Sequence, residues 1–256
     1  MTISTAKGLG EGAPVVLVTG AATGIGLTMV HRLVGLGYRV VAVDIDAETL
    51  ASSFGECDSA QILGIVANIA DEEQAAGCVQ KGVAHFGRLD GLVNNASLHG
   101  KYWNRPSLDY SLAQWQEIFA VNVFAVALLA GAARSALADS RGVIVNISSM
   151  DGYGHSHSCP YAVSKVAMNG MTMNLAKELG TDGIRVVGLA PGFIGTPAIL
   201  SFLGQADQDR IEALQSVKGQ GTPDDVADMV AFLLSPQSRL VTGTTIHADL
   251  GIIHRL

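Results

Sequence analysis

The sequence predicts an α/β fold, a parallel sheet covered by helices on both faces. Three observations predict it. Short runs of Val, Ile and Leu recur without polar alternation, as strands buried on both sides do. Segments of helical periodicity fall between them, a βαβα rhythm that implies right-handed crossovers. The composition agrees: 48% of residues are apolar, 15% are charged, and there are 30 glycines.

The strand candidates, in order, are Val15–Thr19, Arg39–Val43, Gln61–Ala67, Gly91–Val93, Val143–Ile147, Arg185–Leu189 and Thr244–His247. The first, second and fifth are almost pure Val/Leu/Ile/Ala runs, and the others are shorter versions of the same pattern. Helical patterns lie near Gly26–Leu36, Asp71–Phe86, Leu112–Leu137, Tyr161–Leu179 and Asp224–Leu234. No repeat, low-complexity tract or interdomain linker interrupts them. Residues 14–256 therefore read as one domain and residues 1–13 as a loose tail that does not resemble a signal peptide.

Several classes are disfavoured at once. The longest apolar region, around Val121–Ala138, contains Asn122 and Arg134, and its uninterrupted part is too short to cross a membrane. A net charge of −7 argues against nucleic acid or an anionic membrane as partner. Cys57, Cys78 and Cys159 are odd in number and irregularly spaced, which predicts free thiols in a reducing cytoplasm.

The first strand runs into Thr19-Gly20-Ala21-Ala22-Thr23-Gly24-Ile25-Gly26. Glycines between a strand and a helix let a diphosphate approach the backbone, and the helix offers unpaired N–H groups to its oxygens. The spacing is Gly-x-x-x-Gly-x-Gly, not the more widespread dinucleotide fingerprint. The second strand ends on Asp44, about 20 residues past the loop, where a carboxylate accepts both adenosine ribose hydroxyls and repels a 2′-phosphate. No Arg or Lys stands in the loop or just after Asp44, so NAD is the expected cofactor. Further on, Tyr161-Ala-Val-Ser-Lys165 places a phenol and an ammonium four residues apart, on one helix face. A free phenol titrates near about 10, and a neighbouring cation lowers that value, so the pair forms a candidate acid–base centre.

These elements, together with Asn94-Asn95-Ala96, Asn122, the Val143–Ser149 strand and Pro191-Gly192, stand in the order and spacing of the short-chain dehydrogenase/reductase family. The chain resembles that family from about Pro14 to Gly251. The resemblance implies a Rossmann-type, doubly wound sheet of seven parallel strands between two helical layers. It also implies a catalytic tetrad of Asn122, Ser149, Tyr161 and Lys165. Counting back from Tyr161 by the family's usual interval lands on Ser148, whereas strand register lands on Ser149; register is the firmer guide because loops vary more than strands. Ser148 is the fallback. Lys165 would bind the nicotinamide ribose and tune Tyr161, and Asn122, set in a helix kink, would hold a water linking Lys165 to solvent.

Implied cofactor contacts are Gly20, Thr23, Gly24, Ile25, Gly26, Asp44, Ile45, Asn68, Ile69, Asn95, Ala96, Tyr161, Lys165, Pro191, Gly192, Ile194 and Thr196. Residues 197–220 fall where the family carries a mobile substrate lid, and their acids and glutamines look solvated. Ser97, Asn68, Gln220 and Asp249-Leu250-Gly251 depart from the family pattern, none at a tetrad position.

The implied reaction interconverts a secondary alcohol and its ketone. Ser97, His99, Trp103, Asp151 and His155 are the candidate substrate contacts, a polar and aromatic mix that suits a polyol, sugar or cyclic diol. A 3-oxoacyl reductase is the alternative within the family, and a catalytically silent dinucleotide sensor the alternative outside it. His155-x-His157-x-Cys159 alternates as metal ligands do, but no fourth ligand is evident and no metal is expected. By family analogy the protein is a homotetramer.

Overall fold

The computed structural model describes residues 12–55, 57–99, 105–153, 159–201 and 203–253. Seven parallel strands form one sheet: β1 (Val15–Thr19), β2 (Arg39–Asp44), β3 (Ile62–Val66), β4 (Gly91–Asn94), β5 (Val143–Ile147), β6 (Arg185–Pro191) and β7 (Thr245–Ala248). Their order is β3-β2-β1-β4-β5-β6-β7. The order reverses between β1 and β4, and the crevice beyond the strand ends at such a reversal is where ligands bind in open α/β sheets. All five residues of β1 and of β5 are buried, as the unbroken apolar runs require.

The helices are α1 (Gly24–Gly35), α2 (Ala47–Phe54), α3 (Glu72–Phe86), α4 (Leu112–Phe119), α5 (Ala125–Ser140), α6 (Cys159–Leu179), α7 (Pro197–Leu200), α8 (Gln205–Leu214) and α9 (Pro223–Leu234). One core layer packs Leu129, Ala133 and Leu137 of α5 with Ala75 and Val79 of α3 on one sheet face. The other packs Met29 and Leu33 of α1 with Val226 and Val230 of α9 on the opposite face. Caps are local and legible. Asp46 and Asp71 accept first-turn N–H groups of α2 and α3, and Ser111 with Gln114 and Thr222 with Asp225 form capping boxes on α4 and α9.

The structure differs from the sequence expectation in three places. The helical pattern over Leu112–Leu137, for which the resemblance implies a kink at Asn122, is interrupted there by a π-helical turn, Ala120–Phe124, which gives α4 and α5. Such turns insert an extra residue into the helical ladder and re-aim side chains. Here the turn buries Asn122 completely. Helix α2 was not anticipated: it is one short amphipathic turn pair, with Leu50 and Phe54 buried. The stretch after Thr196 is not an undifferentiated lid, since it contains both α7 and α8. From α4 through the π turn to α5 the chain is apolar enough to cross a membrane, yet its apolar stripe packs on α3.

Candidate active site

The C-terminal ends of the strands open into a cavity of about 1490 Å³. Every one of the seventeen expected cofactor contacts lines it, from Gly20 to Thr196. Of the expected substrate contacts, Ser97, His99 and Asp151 line it. Trp103, His155 and His157 lie outside the described residues. Among the described residues no three His, Cys, Asp or Glu side chains converge.

The glycine loop forms one end of the cavity. Gly20 and Gly24 have φ of 63° and 53°, the left-handed region that favours glycine. A Cβ on Gly26 would run into the Gly20 carbonyl oxygen, so the first turn of α1 presses directly on the loop. Thr23 at the N-cap makes no side-chain capping bond, which leaves the opening N–H groups of α1 directed at the cavity. Asp44 stands alongside, its carboxylate accepting from Ala22 N at 2.9 Å and Asp46 N at 3.1 Å. A glycine cradle, a helix N-terminus and a carboxylate beyond them fit the diphosphate and ribose of a dinucleotide.

Asn95 holds this end together. Its Nδ2 donates to the carbonyls of Thr19 at 2.9 Å and Gly20 at 3.1 Å. The Thr19 hydroxyl accepts in turn from Asn95 N and Ala96 N. Thr19 was not singled out in the sequence, where it reads as the last residue of a strand.

At the other end, Ser149, Tyr161 and Lys165 meet. The Ser149 hydroxyl accepts from Asp151 N at 3.1 Å and lines the same cavity as the Tyr161 phenol. Ser148 points elsewhere: its Oγ donates to Asn169 Oδ1 at 2.7 Å. Both serines follow the end of β5 at Ile147, and their hydroxyls take different partners. Lys165 is buried, donates to Ile147 O at 2.8 Å, and places Nζ 5.4 Å from the centre of the Tyr161 ring.

The electrostatics overturn one expectation. Burial and the Asp151 carboxylate push the Tyr161 phenol up, against the Ser149 hydrogen bond, instead of Lys165 drawing it down. The cause is that Lys165 is itself desolvated, its pKa lowered to about 7 by burial against the pull of Asp151. Asp151 is raised to about 6 by burial, with Lys165 and Ser149 opposing. His99, whose ring lies 6.0 Å from that of Tyr161, is lowered by burial and by Lys165.

The Asn122 side chain is fully engaged within the protein. Its Oδ1 accepts from Leu98 N at 2.8 Å and Ser97 Oγ at 3.2 Å, and its Nδ2 donates to Ser164 Oγ at 3.0 Å and Leu98 O at 3.2 Å. Two acceptor and two donor sites are the whole capacity of the amide. The side chain therefore clamps the loop after β4 to α6. A second clamp, missed in the sequence, runs from Asn94 Nδ2 to Asn146 Oδ1 at 2.8 Å and from Asn146 Nδ2 to Thr172 Oγ1 at 2.9 Å. It ties β4 and β5 to α6, the helix that carries Tyr161 and Lys165.

Ile199, Leu203, Ile211 and Leu214 turn from α7, α8 and the segment between them into the cavity, with Asp207 and Arg210 beside them. The sequence reading took this stretch for its solvated acids and glutamines. The spacing Leu203, Asp207, Ile211, Leu214 is the helical signal that could have revealed the inward face.

Known proteins place this architecture. Residues 20–253 match the family model described as enoyl-(acyl carrier protein) reductase. The chain is 35% identical, over 93% of its length and 95% of the relative's, to the (2S)-[(R)-hydroxy(phenyl)methyl]succinyl-CoA dehydrogenase subunit BbsD of Thauera aromatica. Its structure resembles 3-ketoacyl-(acyl-carrier-protein) reductase from Brucella melitensis complexed with NADH, with a TM-score of 0.85 and 30% identity over 93% and 98% of the two chains. It equally resembles a blue fluorescent protein from a metagenomic library in complex with NADPH, with a TM-score of 0.85 and 31% identity over 94% and 98%. The chain belongs to the short-chain dehydrogenase/reductase family of oxidoreductases.

Proposed function

We propose that this protein is an NAD-dependent dehydrogenase that interconverts a secondary alcohol and its ketone. One observation carries the reading: the Ser149–Tyr161–Lys165 cluster and the Asp44 carboxylate line the two ends of a single cavity. Gly20, Thr23, Gly24, Ile25 and Gly26 would hold the diphosphate, Asp44 and Ile45 the adenosine ribose, and Asn68 and Ile69 the adenine. Asn95, Ala96 and Lys165 would flank the second ribose, with Pro191, Gly192, Ile194 and Thr196 against the carboxamide. When bound, the oxidised nicotinamide supplies the hydride acceptor and a positive charge beside Tyr161.

Tyr161 takes the proton of the substrate hydroxyl in oxidation and returns it in reduction, while Ser149 holds the same oxygen by hydrogen bonding. Lys165 keeps an N–H fixed on Ile147 O and would have the others to offer the cofactor ribose. Because the phenol lies high in the free protein, oxidation requires added positive charge and speeds up toward basic pH. Asp44 favours NAD, since its carboxylate would face the extra phosphate of NADP.

His99 and Asp151 line the cavity near Tyr161 and favour a substrate with a second polar group, such as a polyol, sugar or cyclic diol. The apolar face of α8 with Arg210 favours a second reading, reduction of a 3-oxoacyl thioester. Exposed Phe124, Val163, Val166 and Met173 on α6 and at the start of α5 support assembly through these helices, with a homotetramer as the expected state. Three free thiols favour a cytoplasmic setting.

The test is a panel of polyols, cyclic diols, hydroxysteroids and hydroxyacyl thioesters with NAD⁺ or NADP⁺, read by absorbance of the reduced nicotinamide. NAD⁺-dependent turnover of a secondary alcohol is expected. Turnover with NADP⁺ alone, or with no alcohol, contradicts the proposal.

A further inference from the structure

Ser149 stands between two residues that rest on a third. Ser148, just before it, donates from Oγ to Asn169 Oδ1 at 2.7 Å. Gly152, in the 3-10 turn Met150–Tyr153 that follows, lies so close to α6 that a Cβ there would stand 3.2 Å from Asn169 Nδ2. Asn169 comes four residues after Lys165 on α6, and so lies on the same face of the helix. Lys165 makes its own bond one residue earlier in the strand, from Nζ to Ile147 O at 2.8 Å. The end of β5 is thus stitched to α6 by two hydrogen bonds one helical turn apart.

A second strand joins at Asn169. Thr245 of β7 donates from Oγ1 to Asn169 Oδ1 at 3.2 Å. Its register partner on β6 is Gly188, where a Cβ would run into the Thr245 hydroxyl. With two hydroxyls on it, the amide oxygen has both acceptor sites taken, which fixes the side chain in one orientation. Asn94, Asn146, Gly188 and Thr245 are register partners in one row across β4 to β7. That row meets α6 at Thr172 and at Asn169. Apolar contacts carry no direction and would let the helix slide a little on the sheet. Hydrogen bonds to Asn169 do not.

We propose that Asn169 is a positioning residue, which sets the distance from Ser149 to the Tyr161–Lys165 pair. The proposal rests on the roles given above to those three residues. Tyr161, Lys165 and Asn169 belong to one helix and move together along its axis. Ser149 is one peptide link from Ser148. The bond between Ser148 and Asn169 therefore gauges the gap in which both hydroxyls must hold the substrate oxygen. Asn169 itself stands behind the cavity wall, not among the residues that line it, so neither cofactor nor substrate competes for its amide.

Asn169→Leu nearly keeps the volume and removes the acceptor. Ser148→Ala cuts the same bond from the other side, and takes its place in every measurement below if the leucine variant does not fold. The probe is cyclohexane-1,2-diol with NAD⁺. Asn169→Leu should lower kcat by roughly ten- to a hundredfold, the order expected when a reacting group is displaced by up to about 1 Å, with NADH affinity held within about twofold. Ser148→Ala should lower kcat likewise, and the double variant should fall no further than the lower of the two. In a Ser149→Ala background Asn169→Leu should cost less than about twofold, because the distance it sets has lost one end. Losses that multiply in the double variant, or a full loss retained without Ser149, mark a merely structural asparagine and overturn the proposal. Crystal structures of the wild type and Asn169→Leu read the geometry without any substrate. Ser149 should move by about 0.5 Å or more relative to Tyr161, the tolerance of a working site. Ser149 left in place overturns the proposal. If the wild type does not turn over the diol, the substrate class proposed above fails while the two crystal structures still decide the role of Asn169.

Discussion

Replacing Asp151 by asparagine should stabilise the protein, and the gain should grow with pH. In the fold this carboxyl is raised from its ordinary 3.8 to about 6, because burial disfavours the charged form more than Lys165 and Ser149 favour it. The folded value lies above the unfolded one, so the fold prefers the protonated acid. Stability associated with the group is complete below pH 4 and is lost as the pH rises through 6. A shift of about two units at about 1.4 kcal/mol each gives a penalty of about 3 kcal/mol once the acid is ionised. Asparagine keeps the shape and the backbone hydrogen bond to Ser149 without the charge. At pH 8 Lys165, lowered to about 7, is mostly neutral, so little attraction is forfeited there. The expected gain is about 3 kcal/mol at pH 8, or about 6 to 12 °C in Tm for a chain of this size. Near pH 3, below the unfolded value, the gain should be close to nil. Thermal or urea unfolding of both proteins at the two pH values measures it. An equal gain at both, or a loss at pH 8, would refute the assignment of a buried, strained carboxylate.

Gly26→Ala should cost at least about tenfold in NADH affinity, about 1.4 kcal/mol, because the new methyl displaces the Gly20 carbonyl and with it the loop; fluorescence titration reads it. Asp44→Ala should narrow the preference for NAD⁺ over NADP⁺, as measured by the ratio of kcat/KM values, and an unchanged ratio would remove the basis for the cofactor assignment. Leu250 is held at φ 55°, where a Leu is strained by about 1–2 kcal/mol. Its side chain is 38% exposed, so Leu250→Gly should raise Tm by about 2–4 °C. A lower Tm would mean that the side-chain contacts outweigh the backbone strain.

The sheet was legible because its inner strands bury both faces, which leaves unbroken apolar runs in the sequence. β1 and β5 were located to the residue. Local chemistry carried the glycine loop and Asp44, since the turn requires glycine where the backbone is left-handed. Choosing Ser149 over Ser148 rested on strand register, and the structure gives the two hydroxyls different partners, Asn169 Oδ1 for Ser148 and Asp151 N for Ser149. What the sequence hid depends on contacts between distant segments. The π turn at Ala120–Phe124 has no composition of its own: only the family resemblance pointed to a kink at Asn122, and the bonds from Asn122 to Leu98 and Ser164 are what it serves. Asn94, Asn146 and Thr172 are separated in sequence and become a clamp only once β4, β5 and α6 are adjacent. The phenol's direction was misjudged because spacing reports a neighbour's charge but not how far both groups are withdrawn from water.

The most direct test of the account is Tyr161→Phe, which removes the hydroxyl and keeps the ring. NADH binding, followed by fluorescence, should stay within about twofold while kcat for alcohol oxidation falls by about a thousandfold or more. A phenylalanine variant with ordinary turnover, or one whose lost activity merely tracks lost NADH binding, would contradict the claim that this phenol moves the proton.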